Sequence, residues 1–391
     1  MSVLSTAITA AILAAPLLAQ AGEFRNTQNP VPGQYIVVLK QGAAKMANEN
    51  SRAASVGQIG RQIAAEHRAD VIASFDNVLR GFAVKADDAA LAKLLADPRV
   101  EYVEEDGYVS INATQTGATW GLDRVDQRNL PLNTTYVYNK TGAGVHAYII
   151  DTGILTTHTQ FTGRIGAGFD AVGGGVTDCN GHGTHVAGTV GGTTWGVAKS
   201  VILHPVRVLG CTGSGTWTGV ISGMNWVAAN RIRPAVANMS LGGGINTSVD
   251  AAVQTMVNAG VTVVVAAGNS NTNACNFSPA RAPAAITVGS TERTDARSSF
   301  SNYGTCLDIF APGGSITSAW YTSTTASNTI SGTSMASPHV AGAAALYLQT
   351  NPAATPAAVT NAIIGTSTPN KVTGLPATPA SPNRLLYTLS L

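Results

Sequence analysis

The chain has few charged side chains and no cluster of them. Lys, Arg, Asp and Glu make up 11% of its 391 residues, and 23 cationic against 21 anionic side chains leave a net charge of +2. Without a basic block we expect no nucleic-acid partner, and without an acidic tail we expect no partner selected by charge. Glycine, in contrast, is abundant at 42 residues, and the length predicts two or three domains.

Long apolar runs are also missing. Residues 3–19 are mostly apolar, but the stretch is too short to span a bilayer and Pro16 interrupts it. No Lys or Arg precedes Arg25, so the positive start of a typical secretion signal is lacking. The Ala-Gln-Ala run at 19–21 still fits a signal-peptidase site. We therefore predict a signal peptide at 1–21 and a secreted, extracellular protein with no membrane anchor; the alternative is a disordered apolar tail.

Cysteine is rare, and its four copies form an even set that suits two disulfides in an exported protein. They are Cys179, Cys211, Cys275 and Cys306. The sequence alone leaves three pairings open. Cys179 lies three residues before His182, as a zinc ligand could, but no Cys-x-x-Cys pair exists and zinc is not expected.

The segment 22–112 alternates strand and helix patterns. It predicts the order β-α-β-β-α-β, which is the ferredoxin-like arrangement. The predicted strands are 35–40, 71–75, 81–85 and 100–104, and the predicted helices are 55–67 and 87–96. The polar stretch 107–117 that follows lacks helix signals and suits proteolytic cutting.

The segment 113–391 predicts a parallel sheet covered by helices on both faces, because continuous apolar strands alternate with helices. The predicted strands are 144–150, 202–209, 235–241, 261–267, 285–290 and 308–311. The predicted helices are 183–191, 218–230, 248–259, 335–349 and 356–364. In such sheets the functional site lies beyond the carboxyl ends of the strands.

Three runs carry reactive residues, and the first of these residues lies at such a strand end. Asp151 closes the first strand, His182 begins a small-residue helix, and Ser334 lies in the run Gly-Thr-Ser-Met-Ala-Ser-Pro-His at the start of another. A helix N-terminus offers free N–H donors beside the hydroxyl. Taken singly, each residue has an ordinary interpretation: Ser334 as a helix cap and Asp151 as a turn former.

Taken together, these runs resemble the subtilisin-like serine proteases, in the proteinase K branch and closest to aqualysin-type secreted enzymes. The order Asp, His, Ser is that of subtilisin, and not that of α/β-hydrolases or chymotrypsin. The resemblance implies a seven-stranded type of sheet and a serine endopeptidase. It implies that Ser334 attacks the substrate carbonyl, that His182 is the base and that Asp151 orients it. The Asn269 side chain would bind the oxyanion with the Ser334 N–H, and His185 would be a packed histidine.

Glycine-rich runs predict the substrate cleft, because a peptide backbone can approach them closely. The resemblance implies that the runs at 214–217 and 240–243 flank the substrate as an added strand. The walls of the S1 pocket contain no charge, so we expect broad cleavage after apolar or aromatic residues. The predicted substrate-binding residues are Ser214, Gly215, Thr216, Ser240, Leu241, Gly242, Ala266, Ala267 and Gly268.

The resemblance also implies two disulfides and structural calcium. The pairs would be Cys179–Cys211 and Cys275–Cys306. One calcium site would use Asp308 with the carbonyls of Pro283 and Ala285, and a second would use Asp123, Asp126 and Gln127. Asn133 and Thr135 stand where relatives commonly carry a carboxylate and an amide, which leaves fewer charges and predicts weaker binding. Solvated loop carboxylates are the alternative.

The segment 22–112 resembles the inhibitor and chaperone propeptide of this family. Its last residues would lie in the substrate cleft, with Asn112–Ala113 as the self-cut bond and 113–391 as the peptidase domain. We expect a monomer that acts on proteins and peptides and is inhibited by its own propeptide. Two other functions remain open at this point: a secreted esterase or lipase with the same triad, and a binding protein built on an inactive protease.

Overall fold

The structure, a computed structural model, describes residues 22–27, 30–43, 55–107 and 112–391. The chain divides into two units, Met1–Ser110 and Ile111–Leu391. The predicted signal peptide at 1–21 and most of the predicted propeptide tail lie outside the described residues. No helix in the described ranges is long and apolar enough to cross a membrane.

The first unit contains the predicted ferredoxin-like order, with one added strand. Its strands are β1 Glu23–Arg25, β2 Pro30–Leu39, β3 Asp70–Phe75, β4 Gly81–Lys85 and β5 Val100–Gly107; its helices are α1 Val56–His67 and α2 Asp88–Ala96. The sheet order is β1-β5-β2-β4-β3. The sequence missed β1, whose three residues are too few for a visible alternation and which pairs in parallel with β5.

Capping residues fix where these helices begin. Ser55 accepts from the Gln58 N–H, and the Gln58 side chain returns a bond to the Ser55 N–H, which forms a capping box. Asp87 caps α2 in the simpler way, by accepting from the Ala90 N–H. The sequence-predicted helices included these caps, and the structure places each cap just outside its helix.

The second unit is built on a nine-stranded sheet. Its order is β19-β20-β16-β15-β13-β11-β8-β10-β9, and every neighbouring pair is parallel except β19 with β20. The strands are β8 His146–Asp151, β9 Phe169–Asp170, β10 Ile202–Arg207, β11 Ala235–Met239, β13 Val261–Ala266, β15 Ile286–Thr291, β16 Ile309–Pro312, β19 Thr368–Pro369 and β20 Arg384–Leu385.

Helices cover both faces of this sheet, as predicted. They are α3 Trp120–Val125, α4 His182–Gly191, α5 Trp217–Asn230, α6 Thr247–Asn258, α7 Thr333–Thr350 and α8 Pro356–Thr366. On one face α4, α7 and α8 pack with Ile149 and Val264 in one buried cluster. On the other face α5 and α6 pack with Ile150 and Val263 in a second cluster. Neighbouring residues of one strand therefore belong to different cores, which explains why the strands are apolar throughout.

The structure extends the predicted sheet and shortens some strands. The sheet has nine strands, because three two-residue strands, β9, β19 and β20, join its edges beside the six predicted strands. The strand predicted at 202–209 ends at Arg207, since the N–H groups of Val208 and Leu209 both donate to the Asp151 carbonyl. Three small sheets were also missed: β6 Ala113–Thr116 with β7 Thr135–Tyr138, β12 Gly243–Gly244 with β14 Phe277–Ser278, and β17 Ile316–Ala319 with β18 Ser327–Ile330.

Candidate active site

Asp151 and His182 form a hydrogen-bonded pair. Asp151 is the last residue of β8 and His182 is the first residue of α4. The imidazole Nδ1 lies 2.7 Å from Asp151 Oδ1 and 2.9 Å from Oδ2. Because a carboxylate only accepts, Nδ1 carries the proton of the neutral ring and Nε2 keeps a lone pair. The ring is therefore held in the tautomer that a general base needs.

Charges around His182 raise its basicity. Burial alone lowers the pKa of the imidazole, but the charge and hydrogen bond of Asp151, together with the charge of Asp178, outweigh burial and raise the pKa above its ordinary value. About a quarter of the side chain stays exposed (26%), whereas Asp151 is fully buried. The ring can thus exchange protons with a ligand while its partner is shielded from water.

Asp178 holds the first turn of α4 in place. This carboxylate is 3% exposed and accepts from the hydroxyls of Thr152 and Thr184 at 2.9 and 2.6 Å. It also accepts from the backbone N–H groups of Asn180, Gly181 and Thr184. Thr152 follows Asp151 in the chain, so Asp178 links the loop after Asp151 to the helix that carries His182. The sequence analysis missed this residue, although an aspartate just before a helix start is itself a capping signal.

Ser334 is the second residue of α7, which begins two residues earlier than predicted. Its N–H is one of the first four of the helix and has no intrahelical acceptor. Its hydroxyl donates to the Ser240 carbonyl at 3.2 Å. Ser334 lines a cavity of about 270 Å³ that Asn269 also lines.

The Asn269 amide is oriented by Thr333. Asn269 Oδ1 accepts from both the N–H and the hydroxyl of Thr333, each at 2.8 Å. The same hydroxyl accepts from the Gly268 N–H at 3.0 Å. With Oδ1 engaged twice, the group that remains for a ligand is the Nδ2 amine, which is a donor.

Two cavities adjoin these residues and share one wall, 240–243. The cavity beside Ser334 is lined by the predicted residues Ser240, Leu241, Gly242, Ala266, Ala267 and Gly268. The other, of about 540 Å³, is lined by His182 and the predicted residues Ser214, Gly215 and Thr216. The sequence analysis missed Ser270, Phe277, Ser278 and Ala280 in the first cavity and Thr152, Asn180, Leu209, Gly213 and Val220 in the second. Phe277 and Ser278 reach the site through β14, a two-residue strand with no readable period.

Comparisons with known proteins agree with this geometry. Residues 142–381 match the model of the Subtilase family. The chain belongs to the subtilase family. Residues 34–112 match the Peptidase inhibitor I9 family. An extracellular serine proteinase of Thermus sp. is 58% identical over 92% of this chain and 90% of its own length.

Two further relatives support the same assignment. Alkaline serine exoprotease A of Vibrio alginolyticus is 49% identical over 92% of this chain and 68% of its own length. The crystal structure of a cold-adapted subtilisin-like serine proteinase superposes with a TM-score of 0.68 at 56% identity, covering 70% of this chain and 99% of that chain. This subtilase is a secreted serine protease made as a zymogen with an I9 propeptide.

This subtilase has two disulfides, and one of them adjoins the site. Cys179 is joined to Cys211, and Cys275 is joined to Cys306. The first lies directly after Asp178, where the Asn180 amide also donates to the Cys211 carbonyl at 3.0 Å. It therefore anchors the loop that leads into His182.

His185 is a packed histidine, one turn after His182 on α4. It is fully buried, and its Nε2 bonds to the Ile316 carbonyl at 2.9 Å. Burial lowers the pKa of this imidazole to about 4. The neutral ring is thus fixed by its hydrogen bond to the Ile316 carbonyl, and it lines neither cavity.

The carboxylates proposed from the sequence as calcium ligands lie in two places. Asp123 accepts from the N–H groups of Asn133 and Thr134 at 3.2 and 2.6 Å. Asp126 accepts from the Val137 N–H through Oδ2 at 2.5 Å, while its Oδ1 is buried without a hydrogen-bond partner. Burial, and then the charge of Asp123, raise the pKa of Asp126 to about 7. A divalent cation would give Asp126 Oδ1 a partner and would stabilise the charged form of the carboxylate.

Burial also raises the pKa of Asp308, the carboxylate of the other predicted calcium site. Its Oδ2 accepts from the Thr287 N–H at 2.8 Å. Subtilases commonly bind calcium, and a half-buried carboxylate with a raised pKa fits an oxygen ligand.

Proposed function

We propose that this subtilase cleaves peptide bonds with Ser334 as nucleophile, His182 as general base and acid, and Asp151 as the group that orients the imidazole. The observation that carries the proposal is the Asp151–His182 hydrogen bond at the cleft that Ser334 adjoins. It supports a ring whose free Nε2 faces ligands while Nδ1 is fixed. The Asn269 amide and the Ser334 N–H are the proposed oxyanion donors.

The reaction would proceed in two acyl-transfer steps. Ser334 Oγ attacks the scissile carbonyl carbon while its proton passes to His182 Nε2. The tetrahedral oxyanion is bound by Asn269 Nδ2 and the Ser334 N–H. When the C–N bond breaks, the proton moves from His182 to the leaving amine, and water then hydrolyses the acyl-enzyme by the same proton path.

Ser334 must exchange one hydrogen bond to begin this sequence. In the structure its hydroxyl donates to the Ser240 carbonyl. Rotation about the Cα–Cβ bond would turn the same proton toward the imidazole. Hydrogen bonds of this kind are often long or misaligned before substrate binds, and tighten only in the Michaelis complex.

The cavity beside Ser334 supports a preference for apolar and aromatic side chains at P1. Its walls at 240–242 and 266–268 carry no charged residue, and Phe277 adds an aromatic wall. A cationic P1 side chain would be desolvated there without a counter-charge. The glycine-rich runs at 214–217 and 240–243 supply backbone groups that an extended peptide can pair with.

Two assays test the mechanism and the pocket. We expect a fluorophosphonate to label Ser334 in the folded enzyme and not after denaturation, because only the folded site lowers the barrier to attack by the hydroxyl. In a panel of peptides that differ only at P1, kcat/KM should be highest for Phe, Tyr and Leu. Labelling of a residue other than Ser334 would contradict the mechanism, and a strict preference for Arg or Lys would contradict the pocket.

We further propose calcium as a structural cofactor at two sites. One would be formed by Asp123, Asp126 and Gln127, and it is supported by the unpartnered Asp126 Oδ1. The other would use Asp308 with the carbonyls of Pro283 and Ala285. The ion would supply positive charge to buried carboxylates and take no part in peptide hydrolysis.

Removal of calcium should lower the melting temperature. A ligand at a hundred times its Kd contributes about 2.7 kcal/mol, which corresponds to about 5–10 °C in a domain of this size. In chelator the melting temperature should fall further as pH rises from about 4 to 7. The pKa of Asp126 is about 7 in the folded state and about 3.8 in the unfolded state, so over this range the folded state binds more protons and is destabilised as they are removed. Calorimetry with and without chelator measures both effects.

Asp126→Asn supplies the matched variant. It should lose the part of the calcium response that this site contributes and keep the part from the Asp308 site, and it should be at least as stable as the parent in chelator, because the repulsion from Asp123 is gone. Asp170→Asn is the control: this carboxylate accepts from the N–H groups of Val172, Gly173 and Gly175, outside both proposed sites. An unchanged melting temperature of the parent in chelator would refute both calcium sites.

The proposed division of the chain is a signal peptide at 1–21, a propeptide at 22–112 and a peptidase domain at 113–391. Ala113 begins β6, which pairs with β7 inside the second unit. The proposed self-cut bond, Asn112–Ala113, thus stands at the first residue of a strand. The junction supports a cut that leaves β6 intact in the mature enzyme.

A further inference from the structure

The main-chain carbonyl of Ser334 lacks its helical partner. In an α-helix the carbonyl of residue i accepts from the N–H of residue i+4. The residue four positions after Ser334 is Pro338, which lies inside α7 and has no N–H. The carbonyl at the start of this helix therefore needs a donor from elsewhere in the fold.

Ser240 supplies that donor. Its hydroxyl donates to the Ser334 carbonyl at 2.8 Å. Its own carbonyl accepts from the Ser334 hydroxyl at 3.2 Å. Ser240 therefore holds both the main chain and the side chain of Ser334.

Asn238 and Ser337 complete a closed network behind this contact. The Asn238 Nδ2 amine donates to Ser240 Oγ at 2.9 Å, and the Ser337 hydroxyl donates to Asn238 Oδ1 at 2.7 Å. Ser240 Oγ and Ser337 Oγ lie 3.1 Å apart. Asn238 and Ser337 are 1% and 0% exposed and line neither cavity, so these two side chains depend on their protein partners; Ser240 is 4% exposed and borders the cleft.

The hydrogen atoms of this network can be counted. The Ser240 hydroxyl proton is used on the Ser334 carbonyl and the Ser337 proton on Asn238 Oδ1, so the Asn238 amide must point its amine toward Ser240. The two hydroxyl protons and one of the two Asn238 amide protons thus each have a defined acceptor. A buried network in which every member is satisfied is rigid, and this one connects the end of β11 to the first turns of α7.

We propose that Asn238, Ser240 and Ser337 are positioning residues that fix Ser334 for attack at the point where Pro338 removes the helical restraint. The proposal rests on the role of Ser334 as the nucleophile. Asn238 and Ser337 line neither cavity of the described cleft. They can therefore influence catalysis only through the groups they hold.

Ser337→Ala tests the proposal by separating kcat from KM. The change leaves Asn238 Oδ1 buried without its donor, and the network can shift. We expect kcat to fall about 10- to 100-fold, the effect of small misplacements of a reacting group, and KM to change much less, because Ser337 itself lines neither cavity. Ser298→Ala is the matched control: Ser298 is also 0% exposed, and its hydroxyl bonds to Ser290 Oγ at 2.8 Å, outside the cleft.

The control should lose stability and keep kcat. Native kcat in Ser337→Ala, or an equal fall in both variants, overturns the proposal. If Ser337→Ala does not mature, Ser337→Cys takes its place, since a thiol has similar shape and is a weak donor. Should Ser334→Ala itself remain an active protease, the proposed function fails; should it be inactive while Ser337→Ala is native, only the positioning role fails.

A double-mutant cycle tests the link to Pro338. Pro338→Ala returns an N–H that can donate to the Ser334 carbonyl, so this carbonyl no longer depends on Ser240. We compare the factor by which Ser240→Ala lowers kcat in the two backgrounds. This factor should be smaller, by about twofold or more, in the Pro338→Ala background than in the parent, as for residues that share one partner. Equal factors in the two backgrounds would show that Ser240 does not compensate for the proline.

Discussion

The Ser334→Ala variant is expected to accumulate as a chain that keeps its propeptide. Without the hydroxyl no acyl-enzyme forms, and loss of the nucleophile lowers kcat by about 10⁶ in subtilisin, from which this value is taken over. The bond between Asn112 and Ala113 should then remain intact. Intact-mass spectrometry of the purified protein, with a casein assay on the same sample, measures both the processing and the activity.

The variant should still fold, because the exchange removes one oxygen atom. Ser298→Ala, which removes a buried hydroxyl away from the cleft, should mature like the parent. Added parent enzyme should cut the Ser334→Ala precursor in trans, which would show that the junction is accessible. Efficient maturation of purified Ser334→Ala without added protease would contradict self-processing. Residual casein cleavage near the parental rate would contradict the assignment of Ser334 as the nucleophile.

The sequence predicted the parts of the site that lie in contiguous runs. Asp151, His182 and Ser334 each stand where a strand ends or a helix begins, and those boundaries can be read from apolar periodicity. The glycine-rich runs at 214–217 and 240–243 likewise indicate close approach of a backbone. The parallel sheet with helices on both faces followed from its continuous apolar strands, and it is confirmed by the structure and by the similar subtilisin-like proteinase.

Other parts of the site depend on contacts that sequence patterns do not encode. Phe277 reaches the cavity beside Ser334 because two-residue strands pair, and two residues carry no period. The role of Ser240 toward Ser334 becomes visible only when its hydroxyl is found beside a carbonyl 94 residues away in the chain. The sequence alone shows that Pro338 offers no N–H to the helix, but it does not show that the Ser240 hydroxyl donates to the Ser334 carbonyl in its place.

A large loss of activity, smaller than that caused by removing the nucleophile, is expected from Asp151→Asn. The carboxylate accepts from His182 Nδ1 with both oxygens. An asparagine offers one oxygen and one amine, and the Thr152 N–H, which donates to Asp151 Oδ1 at 2.7 Å, competes for that oxygen. The amine then faces Nδ1 and favours the tautomer with its proton on Nε2, which cannot accept the Ser334 proton. We expect kcat at neutral pH to fall about 10⁴-fold with little change in KM.

The pH profile separates this explanation from simple misfolding. In the parent, Asp151 and Asp178 hold the pKa of His182 above its ordinary value, and the base must be neutral, so kcat/KM should rise with pH through that raised pKa. Removing the Asp151 charge lowers the pKa of His182, because the protonated ring loses its strongest counter-charge; the remaining titratable neighbours of the ring are Asp178 and, on α4, the buried His185. The acidic limb of the variant's residual activity should therefore lie at lower pH than that of the parent. Asp170→Asn should leave this acidic limb in place, because the Asp170 carboxylate accepts from N–H groups of its own loop and is not among the charges that shift the pKa of His182. An acidic limb at the same pH in Asp151→Asn and the parent would mean that this carboxylate does not raise the pKa of His182. Activity within tenfold of the parent would mean that it does not orient the imidazole.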